Sequence, residues 1–127
     1  MNLIVFHVCL GFWRPTLATI SEWFRIQSER LYVLYSMTTW GRPTHLHYVR
    51  TYTLKTGLTI QNEDYLRDTG GSPISYTGNH NNIDPKTNVL PEGTVATTVT
   101  IHPTNWLGGI ALRVEINVFP VAGKHWS

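Results

Sequence analysis

The clearest element runs from Ile110 to Val121, where Ile110, Leu112, Val114, Ile116 and Val118 fall on one side, and Arg113, Glu115 and Asn117 on the other. A period of two is what a pleated strand imposes and what a helix cannot accommodate. One face of this strand is therefore core and the other wet, which marks an antiparallel sheet and argues against a sheet covered by helices on both sides. Thr94 to Ile101 reads as a neighbouring strand. Pro103, Asn105 and the pair Gly108 and Gly109 lie between the two, so a hairpin is predicted.

Upstream, Asn2 to Cys9 is a short apolar run through Leu3, Ile4, Val5, Phe6 and Val8, ended by Gly11 and Pro15, and predicts a first strand. From Thr19 the pattern changes. Thr19 and Glu22 fit a capping box, and Ile20, Trp23, Phe24 and Ile26 recur at helical spacing opposite Glu22, Arg25, Glu29 and Arg30, so an amphipathic helix is expected near 17–30. Tyr32, Val33, Leu34 and Tyr35 suit a strand better than a continuation of that helix. Past the turn at Trp40 to Pro43, the residues Leu46, Tyr48, Tyr52 and Leu54 share a strand face with His45, His47, Thr51 and Thr53 opposite, and Arg50 interrupts the apolar side. Brief strands are expected around Leu58 to Ile60 and Ile74 to Tyr76. The polar stretch from Gly78 to Asn88 belongs in a surface loop. The whole predicts a mainly β single domain over 1–127: an antiparallel β-sandwich of immunoglobulin or fibronectin III-like type, with one N-terminal amphipathic helix.

Composition narrows the function classes. A chain of 127 residues fills one ordinary core. Its formal charge of +2, from ten scattered Lys and Arg residues, marks no nucleic-acid-binding face. Cys9 is the only cysteine, so neither an intrachain disulfide nor a thiolate zinc cluster can form. No stretch approaches the roughly 20 apolar residues that span a bilayer. Met1 to Trp13 is apolar enough for a secretory leader core but has no basic residue after the start and no small-x-small cleavage site.

Catalytic signals are sparse. His45 and His47 have the strand spacing that places two imidazoles on one side of a sheet, but a metal needs a third ligand, and no spacing commits His80, His102 or Glu63 to that role. Solvent-facing histidines are the plainer reading. Cys9, inside an apolar strand, reads as core, and Glu63, Asp64 and Asp68 read as loop carboxylates. There is no GxSxG, no phosphate-cradling glycine loop and no HExxH. No cofactor is expected.

Binding signals are stronger. Trp40, Trp106, Trp126, Tyr65 and Tyr76 fall in or beside predicted turns, where exposed rings form platforms for sugar faces or protein partners; the alternative is that each caps an end of the core. Asn79, Asn81 and Asp84 supply hydrogen bonds suited to hydroxyls. Leu3, Val5, Ile20, Trp23 and Phe24 give the N-terminal segment more apolar surface than one sheet face absorbs, which points to a homo-oligomer interface.

The run Trp40, Gly41, Arg42 with Pro43 and Thr44, leading to Tyr48, Val49, Thr53 and Leu54, resembles the fungal immunomodulatory proteins, and Val95 to Ile101 resembles a strand of that family with Thr97 in place of its aspartate. The resemblance implies a fibronectin type III-like sandwich, an N-terminal strand and helix used in dimer exchange, and a secreted or released protein that binds cell-surface glycans or receptors. The expected function is thus a non-enzymatic, lectin-like binder acting as an oligomer. A capsid-like assembly subunit and a small metal enzyme using His45 and His47 are the alternatives.

Overall fold

In the computed structural model of the chain, the described residues are 4–7, by their backbone, and 21–121 in full. The strands are β1 (Ile4–His7), β2 (Phe24–Trp40), β3 (Tyr48–Gly57), β4 (Asp64–Tyr65), β5 (Tyr76–Thr77), β6 (Lys86–Val89), β7 (Val95–Leu107) and β8 (Arg113–Pro120), with one 3-10 turn at Ile60–Asn62. They pair in the order β1-β8-β2-β7-β3-β4, with β5 on β3 and β6 on β2, and every pair is antiparallel.

The curl of this sheet originates in β2. Its first half runs against β7, from Phe24 opposite Ile101 to Gln27 opposite Thr98, and its second half lies between β8 and β6. Between Gln27 and Tyr32 the register slips. Such a bulge bends and twists a strand, which lets one strand serve both layers of a sandwich. Leu34 and Met37 of β2 then meet Val114, Ile116 and Val118 of β8 on one side and Tyr52, Leu54, Val99 and Ile101 of β3 and β7 on the other, all buried in one cluster.

The helix expected over 17–30 is corrected: residues 21–23 are a turn and coil, and 24–30 open the 17-residue strand β2. Residues 17–20 lie outside the described set. Phe24 and Ile26 are two apart and pair across to Ile101 and Val99, so long-range pairing overrides the local capping signal. The helix-like spacing arises because Trp23, in the coil before the strand, stands next to Phe24 and Ile26 at the strand's start.

The predicted hairpin is also corrected. β7 and β8 do not pair; β2 lies between them. The connection crosses from one layer to the other, and Ile110, Ala111 and Leu112 are buried as it does so. The alternation itself is borne out. Val114, Ile116 and Val118 are buried, Arg113 is exposed, and Glu115 and Asn117 are half-buried.

β3 starts at Tyr48, so Leu46 is left 60 % exposed, and the break seen at Arg50 is a register shift between Val49 and Tyr52. Leu58 to Ile60 is not a strand but a bend entering the 3-10 turn, after Gly57 closes β3. Phe24 packs against the core and Trp23 is exposed; Leu3 and Ile20 of the expected oligomer surface lie outside the described residues, and Val5 pairs with Asn117 of β8.

Tyr52 and Tyr76 stack with centroids 5.5 Å apart and 19° between planes. The Tyr52 hydroxyl accepts a hydrogen bond from Asn88 Nδ2 at 3.0 Å, while the Tyr76 hydroxyl is buried with no partner. Burial pushes both phenols above their ordinary value, because a phenolate would lose its hydration. The folded state therefore holds protons that the unfolded state releases near pH 10, and stability falls as pH rises through that value. Absorbance at 295 nm is expected to show these two rings ionising only together with loss of the far-ultraviolet β signal. Their titration near pH 10 in a folded chain, assigned by comparison with Tyr52→Phe and Tyr76→Phe, would contradict this packing.

Candidate functional site

β2 ends at Trp40 opposite Arg113, where β8 begins, and β3 begins at Tyr48 opposite Leu107, where β7 ends. These pairings bring the segments 41–47, 78–85 and 108–112 to one end of the sandwich. Loops clustered on a rigid sheet are where binding residues concentrate.

The Asn-rich segment holds this end together. Gly78 and Asn79 donate backbone N–H bonds to Arg50 and Val49 of β3 at 2.6 and 2.9 Å. Asn79, only 3 % exposed, accepts the Thr39 hydroxyl at 3.0 Å and donates through Nδ2 to the carbonyls of Thr39 at 2.7 Å and Asp84 at 3.0 Å. Asn81 Oδ1 accepts from the backbone of Ile83 and Asp84, and its Nδ2 donates to Asp84 Oδ2 at 2.8 Å. Asn82 Nδ2 reaches the neighbouring turn, donating to the carbonyls of Arg42 at 3.0 Å and Pro43 at 3.3 Å. This is a surface loop only in part, since Asn79 points inward and its polarity is spent on bridging β2 to the loop.

The 41–47 turn is closed by Arg42 N–H to His47 O at 3.0 Å. A side chain at Gly41 would meet His47 O at 2.7 Å and Asn82 Cα at 3.0 Å, so the two loops are in contact there. The Arg113 guanidinium lies 4.9 Å from the Trp40 ring centroid, a cation–π contact that orients the indole. Trp40 and Trp106 are both half-buried, Trp106 against the core. Leu46 and Ile83, 60 % and 65 % exposed, form the apolar tips of the two loops.

Of the residues singled out in the sequence, Trp40, Asn79, Asn81, Asp84 and Trp106 meet at this end. Tyr65 sits elsewhere, on the outer face of the sheet, and Tyr76 is core, 6 % exposed, so its ring is no platform. Trp126 lies outside the described residues. His45 and His47 are not strand neighbours but turn residues, because β3 starts one residue after them; their rings are 5.6 Å apart, and His45 Nδ1 bonds the Thr44 hydroxyl at 2.9 Å. Among the described residues no group of three His, Cys, Asp or Glu side chains could hold a metal ion. Glu63 and Asp64 do not converge as a carboxylate pair, since Glu63 binds Arg25 and Asp64 binds Arg67. Arg113 and Asn82 were not singled out from the sequence. The outward phase of Arg113 at the head of β8 is the signal that bears on its place; nothing local marks Asn82.

Among the described residues no helix is long and apolar enough to cross a membrane. No protein-family profile matches the chain. It is 26 % identical over 106 residues to coagulation factor VIII of Sus scrofa and 26 % identical over 110 residues to neuropilin-1 of Xenopus laevis, covering 82 % of this chain in each case. The chain spans only 5 % and 12 % of those two proteins. Among solved structures it resembles discoidin II of Dictyostelium discoideum, with a TM-score of 0.79 at 20 % identity over 87 % of this chain and 42 % of that one. It also resembles the family 32 CBM of Clostridium perfringens NanJ in complex with galactose, with a TM-score of 0.62 at 12 % identity over 92 % of this chain and 91 % of that one. These likenesses carry the β-sandwich that the immunomodulatory resemblance implied and do not extend to that family; the fold of the chain is the discoidin-like β-sandwich.

Proposed function

We propose that the chain is a non-catalytic β-sandwich module that binds glycans of cell surfaces at the end built from 40–47, 78–85 and 105–113. The observation that carries this reading is the hydrogen-bonded frame of Asn79, Asn81 and Asn82, which fixes the loops at the same end as two half-buried tryptophans, Trp40 held by Arg113 and Trp106 by the core. A preorganised site spares the ordering cost that would otherwise consume the weak energy of sugar contacts. Indole faces supply apolar area for a pyranose ring, and the open His45, Asp84 and Asn105 side chains supply partners for hydroxyls. The likeness to discoidin II and to a galactose-bound CBM supports the same ligand class.

The chain covers a small part of factor VIII and neuropilin-1, both proteins that act outside the cell, and we place this module in the same setting. A second copy, joined through the N-terminal segment where Trp23 is exposed, raises avidity without new contacts. Light scattering that reads a strict monomer at all concentrations would remove this part and leave the site intact.

Calorimetry with the strongest hit of a glycan array tests the site. Trp40→Ala and Trp106→Ala are each expected to weaken binding about tenfold or more, the effect of truncating a central aromatic anchor. Unchanged affinity in both variants, with the fold intact, would sink the assignment.

A further inference from the structure

A second surface lies on the outer face of the sheet. The register sets Tyr65, Lys55, Thr100 and Arg25 in one row across β4, β3, β7 and β2, with His102 in the next row opposite Thr53. Leu54 and Ile101 alternate with these residues and face the core, so the row lies on the opposite face, where Thr100 is buried beneath Glu63, and Lys55 and Tyr65 are half-buried. Three interstrand gaps make the row about 14 Å long. Lys55 is seven residues along β3 from Tyr48, which puts the row roughly 20 Å from the loop end.

Charge on this face is unevenly satisfied. Glu63 is spent, accepting from Arg25 Nη2 at 3.0 Å and from the Thr100 hydroxyl at 2.8 and 2.7 Å. Asp64 is spent on Arg67 at 3.1 Å, and that bond, with the Tyr65 N–H, holds its carboxyl below the usual range. Lys55 has no carboxylate partner among the described residues; its ammonium lies 4.7 Å from the Tyr65 ring centroid, with the Arg67 guanidinium 5.9 Å from the same ring. His102, its ring 6.1 Å from Tyr65, has a buried Nε2 with no hydrogen-bond partner among the described residues. Burial first, then the Lys55 cation, hold this imidazole below its ordinary value, with Glu63 opposing and Arg25 adding. Structural ion pairs account for Arg25, Glu63, Asp64 and Arg67. They do not account for an ammonium with only a ring beneath it, or for an imidazole nitrogen without a partner beside it.

We infer that this face is a second binding site, separate from the loop end, for an acidic saccharide whose sulfate or carboxylate takes the Lys55 ammonium, drawing it off the Tyr65 ring and freeing that face for the pyranose, with Arg67 alongside. Arg25 and Arg67 are paired with Glu63 and Asp64, which leaves the Lys55 ammonium as the charge that an anionic group neutralises. Lys55 attracts the anion as a point charge, and the aromatic face confers preference for a sugar over a bare ion.

The test is amide NMR on the whole chain, titrated separately with a sulfated heparin tetrasaccharide, with 3′-sialyllactose and with neutral lactose. A sulfated or a sialylated probe is expected to shift Thr53, Lys55, Tyr65, Arg67 and His102, the two arms telling sulfate from carboxylate. Lactose is expected to leave those residues still, and raising salt from about 50 to about 300 mM to weaken the acidic probes severalfold. Lys55→Met and Tyr65→Ala, both outward-facing, are each expected to cost about tenfold in affinity for the acidic probe with an unchanged far-ultraviolet spectrum. Face residues unmoved by both acidic probes, or moved equally by lactose or by single-stranded DNA, would overturn the inference. Shifts at the loop end alone would overturn it while leaving the proposed function in place; shifts at this face alone would do the reverse.

Discussion

Asn79→Ala is expected to lower the stability of the chain by about 2–4 kcal/mol. Asn79 is buried and makes three hydrogen bonds, one accepted from Thr39 and two donated to the Thr39 and Asp84 carbonyls. Alanine leaves the fully buried Thr39 hydroxyl without this acceptor and takes a donor from the Thr39 and Asp84 carbonyls, and a buried group left unsatisfied costs about 1–3 kcal/mol where water cannot reach it. Part of that cost is relieved if the 78–85 loop lifts and admits water, so a smaller stability loss would come with a larger loss of sugar binding. Urea unfolding at constant slope reads the first and calorimetry the second. A variant within about 0.5 kcal/mol of the parent that also keeps its affinity would show that this asparagine holds nothing in place.

Gly108→Ala is expected to cost about 2–3 kcal/mol and to displace the 41–47 turn. Gly108 has a φ of +72°, and a β-carbon there would run into His47 Cδ2 and stand 2.7 Å from the Leu46 carbonyl oxygen. Gly93, with a φ of +82°, has nothing within 4 Å of the same position. Gly93→Ala therefore carries the backbone strain alone, about 1 kcal/mol, and the difference between the two variants measures the contact. Adding His47→Ala to Gly108→Ala is expected to recover part of that difference, since the Leu46 carbonyl remains in the way. Equal costs for Gly93→Ala and Gly108→Ala would mean that the glycine turn and the histidine turn do not meet.

Local periodicity was a good guide wherever a strand is straight and has one wet face. β8 is such a strand, and Val114, Ile116 and Val118 lie where their alternation puts them. The interruption at Arg50 was legible too, as the register shift it proved to be. Periodicity failed where a strand begins. Trp23 lies in the coil ahead of β2, and set beside Phe24 and Ile26 of the strand it falls by accident at helical spacing. It also failed for connectivity. Glycines between two strands look the same whether the chain doubles back in one sheet or crosses to the other layer, and only the insertion of β2 between β7 and β8 distinguishes the two.

The site was legible as an inventory more than as an arrangement. Composition identified Trp40, Trp106 and the Asn-rich loop as unlike core, and the fold brings them to one end. That Asn79 points inward depends on its backbone pairing with Val49, thirty residues earlier, which no local pattern encodes. Tyr76, at the end of an expected brief strand and beside a turn, offers a platform by its neighbourhood in sequence, yet its two-residue strand lays the ring on Tyr52. Tyr65 was grouped with the loop aromatics by neighbourhood in sequence; its pairing with Lys55 gives it a different surface and a different chemistry.

The central claim is that a sugar binds where 40–47, 78–85 and 105–113 converge. Amide NMR of the chain, titrated with the glycan that binds most strongly on an array, tests it most directly. The predicted result is a set of shifts centred on Trp40, Gly41, Asn82, Asp84 and Trp106, saturating with a single affinity. Failure of every arrayed glycan to bind, or saturable shifts that leave these segments unmoved, would contradict it.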